Sequence, residues 1–245
     1  MFRSTNIMML QTADGSAYAD MLAVGRKANE SYATAQGLGY QCFIGIKRGY
    51  FPWHAAFNKV LLTREIMAAG YRGWVFYLDA DAFVYDQEFD LVRYLKSHHD
   101  KALIAGPGGT GGERWDINVG VFLVNLRMKS ARQLIEHWYS DVMSTTDDQL
   151  RRAPAWYDVM SDQPRLHRIL QENPHYQDDL HIAERSFFND YKASFVRQIF
   201  RSPDLSMADR IAMMKADIAL TKAKYTTARQ FYLPHFFRRL RVKRG

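Results

Sequence analysis

The chain is 245 residues long, with 47% hydrophobic and 24% charged residues, a globular composition that excludes a disordered or collagen-like polymer. Its 33 Lys and Arg exceed its 26 Asp and Glu by seven, but residues 221–245 hold eight basic residues and no acidic one, so the rest of the chain carries −1. A near-neutral body excludes the broad basic surface of a nucleic-acid-binding fold, and a lone cysteine, Cys42, excludes a disulfide framework and points to a reducing compartment.

The first 125 residues alternate short apolar runs with helical patterns, as βαβ units around a mostly parallel sheet do. The pattern predicts a strand over 6–12, a helix over 18–36 stopped by Gly37 and Gly39, and a second strand over 40–46. Phe57, Val60, Leu61, Met67 and Ala68 recur at helical spacing, which predicts a helix over 53–69. Next comes the unbroken apolar run Trp74-Val75-Phe76-Tyr77-Leu78, a central parallel strand covered on both faces, and it leads directly into Asp79-Ala80-Asp81. A short helix over 89–97, a strand over 102–105, a glycine-rich loop over 106–112 and an apolar strand over 116–126 follow. Beyond residue 130 the pattern is mainly helical, with pieces over 130–143, 162–171 and 206–222 and a connecting loop over 144–161. Ser130 and Ser206 are the expected caps, the latter with Asp209 in a relative of the capping box. One domain is expected over 1–220, with a ligand-binding half over 1–125 and a helical, partner-selecting half over 126–220.

Ligands of open α/β sheets bind beyond the carboxyl ends of the strands, which singles out Asp79 and Asp81. Two carboxylates two residues apart on extended backbone face one side, roughly 7 Å apart at a rise of about 3.3 Å per residue. Hard oxygen ligands select Mg²⁺ or Mn²⁺ and leave coordination places for substrate phosphates, so a cation there can offset charge on a departing diphosphate. Such a pair also caps helices and turns, and aspartyl phosphohydrolases likewise end a strand in two aspartates. Theirs is the first strand, with Thr or Val two places on, whereas this is the third strand and the place holds Phe83. The 106–112 loop lacks the Gly-Lys-Ser/Thr ending of a P-loop.

In three segments the chain resembles GT-A fold glycosyltransferases, and among them glycosyltransferase family 34. Trp53-His-Ala-Ala-Phe-Asn-Lys59 through Trp74-Val-Phe-Tyr-Leu-Asp-Ala-Asp-Ala82 is similar to that family's lysine-bearing helix followed by its Trp-rich strand and Asp-x-Asp. Ile117-Asn-Val-Gly-Val-Phe-Leu-Val124, followed by a helix bearing Trp138, resembles its Asn-x-Gly-x-Phe strand, and Asp162-Gln163 its acidic-Gln pair at a helix start. The resemblance implies a GT-A domain with a mostly parallel central sheet and a helical C-terminal part. It implies transfer of a sugar from a nucleoside diphosphate sugar to a glycan or glycolipid, with retention at the anomeric carbon and Mn²⁺ or Mg²⁺ at Asp79 and Asp81. Lys59 and Arg197 then bring positive charge to the sugar nucleotide, Gln11 and Thr12 contact the base, and Asn118 lies near the transferred sugar and Gln163 near the anomeric carbon. Gly120 keeps its strand face free of a side chain, and Asp162 belongs to the donor-binding set. Relatives often place a metal-ligating histidine in a Phe-x-x-His setting, where this chain has Phe195-Val-Arg-Gln198; His181, Arg197 and Arg201 are the residues that could compensate. A nucleotidyltransferase of similar fold and a non-catalytic carbohydrate-binding scaffold are the alternative functions.

Trp156 and Tyr157 fall in the 144–161 loop, where aromatics either pack down onto a core or stack on an acceptor sugar. Residues 231–245 interleave Phe231, Tyr232, Phe236 and Phe237 with five basic residues. This composition suits either a peripheral anchor on anionic lipid or a solvated tail. No run reaches the roughly 18 apolar residues of a membrane span, and the first ten residues lack a signal-type apolar stretch. The expected location is cytoplasmic, peripheral to the membrane if the tail anchors.

Overall fold

The computed structural model describes residues 6–109 and 112–221. Ile7–Ala13 forms strand β1, Ala19–Gln36 helix α1, and Gly39–Ile44 strand β2. A 3₁₀ turn at Pro52–Phe57 leads into α2, Asn58–Ala68, which precedes β3, Trp74–Leu78. β4 (Ala82–Val84), α3 (Leu91–Ser97), β5 (Leu103–Pro107) and β6 (Ile117–Asn125) complete the first half. The second half holds α4 (Lys129–Ser144), α5 (Asp147–Arg151), α6 (Asp162–Glu172) and α7 (His175–Asp178), then β7 (Leu180–Ile182), β8 (Phe188–Asp190) and β9 (Val196–Gln198). A further helix, α8, is described over 207–221.

Six strands pair in the order β2-β1-β3-β6-β5-β7. Only β6 runs against the rest, antiparallel to both β3 and β5, so the sheet is mostly parallel and flanked by helices. The run 74–78 is buried on both faces as its composition requires. Val75 and Tyr77 point into a core built with Val60, Leu62, Leu134, Trp138 and Leu166 of α2, α4 and α6. Trp74, Phe76 and Leu78 point into another, with Tyr32 of α1, Leu91 and Leu95 of α3, and Phe188, Phe195 and Val196. At about 1.5–3 kcal/mol per large buried side chain, this two-sided strand is a main anchor of the fold.

Helix ends follow local chemistry. α1 stops where Gly37 turns left-handed at φ 67° and its N–H returns to the carbonyls of Ala33 and Thr34, a conformation that costs a β-carbon-bearing residue energy. Ser206 caps α8: its Oγ accepts from the Asp209 N–H at 3.1 Å while Asp209 Oδ2 accepts from the Ser206 N–H at 3.0 Å. Ser130 is not a cap, because α4 already begins at Lys129 behind Met128.

The second half is less helical than its pattern predicts. Three-residue strands are too short to show an alternating pattern, yet β7 extends the main sheet beside β5, while β8 and β9 join β4 in a three-stranded sheet. The predicted 144–161 loop contains α5, started by Thr146 and Gln149 in a reciprocal cap. Among the described residues no helix is long and apolar enough to cross a membrane. The basic aromatic segment 231–245 lies outside the described residues.

Candidate functional site

The parallel strands β1 and β3 end at one edge of the sheet, and because β6 runs the other way it begins there. The Asp79 N–H donates to the Gly120 carbonyl at 2.7 Å, locking the start of the Asp-x-Asp turn to the early part of β6. The 3₁₀ turn, the first turn of α2 and the N-terminus of α6 close the same edge. Between them is a cavity of about 760 Å³ whose lining includes Thr12, Lys59, Asp79, Asp81, Asn118, Gly120, Asp162 and Gln163. Residues spread over 150 positions therefore share one pocket.

Lys59 is 3% exposed and sits in the first turn of α2, the end where the helix dipole disfavours a cation. Its partners explain the placement: Nζ lies 2.7 Å from Asp162 Oδ2 and 3.1 Å from Asp79 Oδ1, and donates to the Val119 carbonyl at 3.1 Å. Burial pulls its pKa down, but Asp162 and Asp79 outweigh burial and the net shift is upward, so the ammonium stays charged. A relay runs alongside: the Thr12 hydroxyl and Tyr77 OH are 3.2 Å apart, and Tyr77 donates to Asp79 Oδ1 at 2.7 Å. Low-dielectric surroundings push Asp79 up to about 6, against the pull of Lys59 and with the push of Asp81 and Asp162.

Asp81 meets different partners. Gln198 Nε2 donates to Oδ1 at 2.9 Å, and Arg210 Nη2 donates to Oδ2 at 2.6 Å. Burial raises its pKa, opposed first by Arg210 and then by the Gln198 bond. Gln198 comes from β9, which pairs with β4 so that Gln198 stands opposite Ala82. Its amide lies over Gly120, where a Cβ would come within 2.3 Å of Nε2 and would have to displace that amide. Gln198 Oε1 is buried and has no hydrogen-bond partner among the described residues, and a buried acceptor of that kind calls for a donor or a cation.

That orphan oxygen tests whether a divalent cation suits the site. No cluster of three His, Cys, Asp or Glu side chains able to hold a metal exists among the described residues. Two carboxylates and one amide oxygen are hard donors of the kind Mg²⁺ or Mn²⁺ takes together with water and phosphate oxygens, so the residue types fit such an ion, while Lys59, Gln198 and Arg210 engage the carboxylates it would bind. His181, by contrast, lies on β7 against His98, with ring centres 4.3 Å apart, and outside the cavity lining.

Two amides beside the carboxylates present their nitrogen ends. Gln163 Oε1 accepts from the Val119 N–H at 3.1 Å and Asn118 Oδ1 from the Gly120 N–H at 2.7 Å. A backbone N–H needs an oxygen opposite, which leaves each NH₂ group to donate to a ligand hydroxyl. The open side is aromatic. Trp53 and Trp156 pack with ring centres 5.5 Å apart, Arg201 lies over Trp156 at 4.6 Å, and Tyr157 is 94% exposed. Of the two loop aromatics, Trp156 packs and Tyr157 does not.

Two predicted ligand-contacting residues stand elsewhere. Gln11 is fully buried behind the pocket, where Nε2 donates to the carbonyls of Asp79 and Ala82 and Oε1 accepts from Asn29 and Tyr40. It shapes the Asp-x-Asp turn, and its neighbour Thr12 faces the cavity because successive strand residues point to opposite sides. For the same reason Arg197 points away from Gln198; it pairs with Asp217 at 2.9 Å and lies over the Tyr85 ring. The cation that this segment places in the cavity lining is Arg201. Arg210 went unnoticed in the sequence, since nothing local distinguishes an arginine 129 residues from its carboxylate.

No family model matches the chain, and no curated protein resembles it in sequence. Among solved structures, a glycosyltransferase involved in the glycosylation of the major capsid of PBCV-1 is similar over 86% of this chain and 98% of its own, with TM-score 0.61 and 15% identity. The apo-form glycosyltransferase GlyE of Streptococcus pneumoniae TIGR4 aligns over 90% of this chain and 63% of its own, at TM-score 0.49 and 13% identity. The first likeness shows that the chain has a glycosyltransferase fold.

Proposed function

We propose that the protein is a glycosyltransferase that moves a sugar from a nucleoside diphosphate sugar to a glycan or glycolipid acceptor. The observation that carries this reading is the convergence of Lys59, Asp79, Asp81, Asn118, Asp162 and Gln163 on one cavity at the carboxyl edge of a glycosyltransferase-type sheet. Their chemistry suits the donor: cations and a cation-binding pair for the diphosphate, and amide donors for sugar hydroxyls.

Asp79, Asp81 and Gln198 are the residues that would hold Mn²⁺ or Mg²⁺, and such an ion when bound neutralises charge on the leaving diphosphate. Lys59 bridges Asp79 and Asp162 and offsets their negative charge, and Arg201 brings a further positive charge to the rim. Asn118 and Gln163 hold the sugar by its hydroxyls. Transfer breaks the bond from C1 to the diphosphate oxygen as the acceptor hydroxyl oxygen bonds to C1, and the hydroxyl proton passes to the departing phosphate. The resemblance to family 34 supports retention at C1. Trp53, Trp156 and Tyr157 form the acceptor side, where aromatic faces stack on sugar rings. The basic aromatic segment 231–245 supports attachment to anionic membrane.

Incubating the protein with Mn²⁺ and a panel of UDP- and GDP-sugars tests the reading. Slow release of nucleoside diphosphate from at least one donor is expected, and Asp81→Asn is expected to lower it by about 100-fold or more. Release of inorganic pyrophosphate from a nucleoside triphosphate instead would favour a nucleotidyltransferase. Full activity in Asp81→Asn would overturn the assignment.

A further inference from the structure

Arg210 stands in the first turn of α8 yet is only 3% exposed. Nη2 donates to Asp81 Oδ2 and to the Ile199 carbonyl, each at 2.6 Å, Nε donates to the same carbonyl at 3.0 Å, and Nη1 reaches Tyr18 OH at 3.2 Å. Helix docking alone does not account for it. Met214 and Ile218 supply the apolar contact of α8, packing with Met21, Ala28, Phe83 and Ile199. A guanidinium in a helix's first turn opposes the dipole, and burying it is costly unless it is paired. The carboxylate it pairs with is the second member of the Asp-x-Asp turn.

We propose that Arg210 is a positioning residue of the donor site, an inference that rests on the reading of Asp81 given above. Anchored by the Ile199 carbonyl and Tyr18 OH, the guanidinium gives Asp81 Oδ2 a charge-assisted bond, and together with the Gln198 bond to Oδ1 it holds both carboxylate oxygens in place. With Oδ2 secured, Oδ1 is held beside Gln198, whose Oε1 is the buried acceptor without a partner among the described residues. The two oxygens thereby keep a constant relation to the cavity. α8 is thus part of the site, although its sequence is distant from every motif within residues 1–125.

The test uses the full chain and the probes Mn²⁺–UDP and Mn²⁺–GDP, followed by calorimetric titration. Arg210→Met is expected to bind the probe that wild type prefers about tenfold or more weakly, as loss of a partner that orients a metal ligand typically does. Added guanidinium ion is expected to restore part of that affinity. Met214→Ala, which loosens α8 without touching Asp81, is expected to lower the thermal midpoint and leave the affinity unchanged. If Arg210→Met does not fold, Arg210→Lys carries the test. A single ammonium cannot span Asp81, Ile199 and Tyr18 together, so binding weaker by about threefold supports the proposal, and wild-type affinity overturns it. Equal weakening in Met214→Ala and Arg210→Met would reduce Arg210 to a structural role and overturn the inference alone. Failure of wild type to bind either probe, or undiminished binding by Asp81→Asn, would overturn the underlying reading and this inference with it.

Discussion

Gly120 is the residue on which the two halves of the site lean. Its carbonyl accepts from the Asp79 N–H, its N–H donates to Asn118 Oδ1, and the space its missing side chain leaves is filled by the Gln198 amide. In Gly120→Ala the new Cβ displaces that amide and breaks its bond to Asp81. The stability cost is expected at about 1–3 kcal/mol, typical of overpacking a filled site, measured by urea unfolding. Mn²⁺–nucleotide affinity is expected to fall by more than this destabilisation alone accounts for, and wild-type affinity in the variant would show that Gln198 does not matter to binding. The glycine is visible in the sequence as a break in an apolar strand, but its purpose is not, because Gln198 arrives from a three-residue strand 78 positions later. The Asp79–Asp81 pair was legible since strand and carboxylates adjoin; Arg210 was not, since its only signal is a contact across 129 residues.

At the scale of elements, caps and periodicity located helices well where the information is local. The reciprocal Ser206–Asp209 cap is such a case, and it starts the helix that carries Arg210. Ser206→Ala is expected to destabilise the protein by about 1 kcal/mol and to speed amide hydrogen exchange in 207–221 while leaving β3 and β6 protected. Exchange in α8 equal to wild type would show that tertiary packing, not the cap, holds its first turn. The split of the predicted 53–69 helix into a 3₁₀ turn and α2 also has a use: it sets Lys59 in the first turn of α2, facing Asp79 and Asp162. The second sheet was not legible. β4, β8 and β9 are three residues each, and their pairing is decided by where the chain returns, not by any alternation within them.

At the scale of the molecule, the excess of positive charge lies in 221–245, beyond a near-neutral body. Removing residues 231–245 is expected to weaken binding to anionic liposomes while sparing turnover of a soluble acceptor. Equal partitioning of truncated and full-length protein in a sedimentation assay would remove the anchor. By itself the sequence determined the α/β class, the buried central strand and the carboxylates at its end, because hydrophobic burial and turn chemistry act between near neighbours. Only the tertiary structure decided that β6 runs antiparallel beside β3, that Gln11 and Arg197 turn away from the cavity, that Gln198 and Arg201 line it, and that Arg210 reaches the Asp81 carboxylate. Those choices depend on which distant segments pair, and on which side of a short strand faces the cavity once they do.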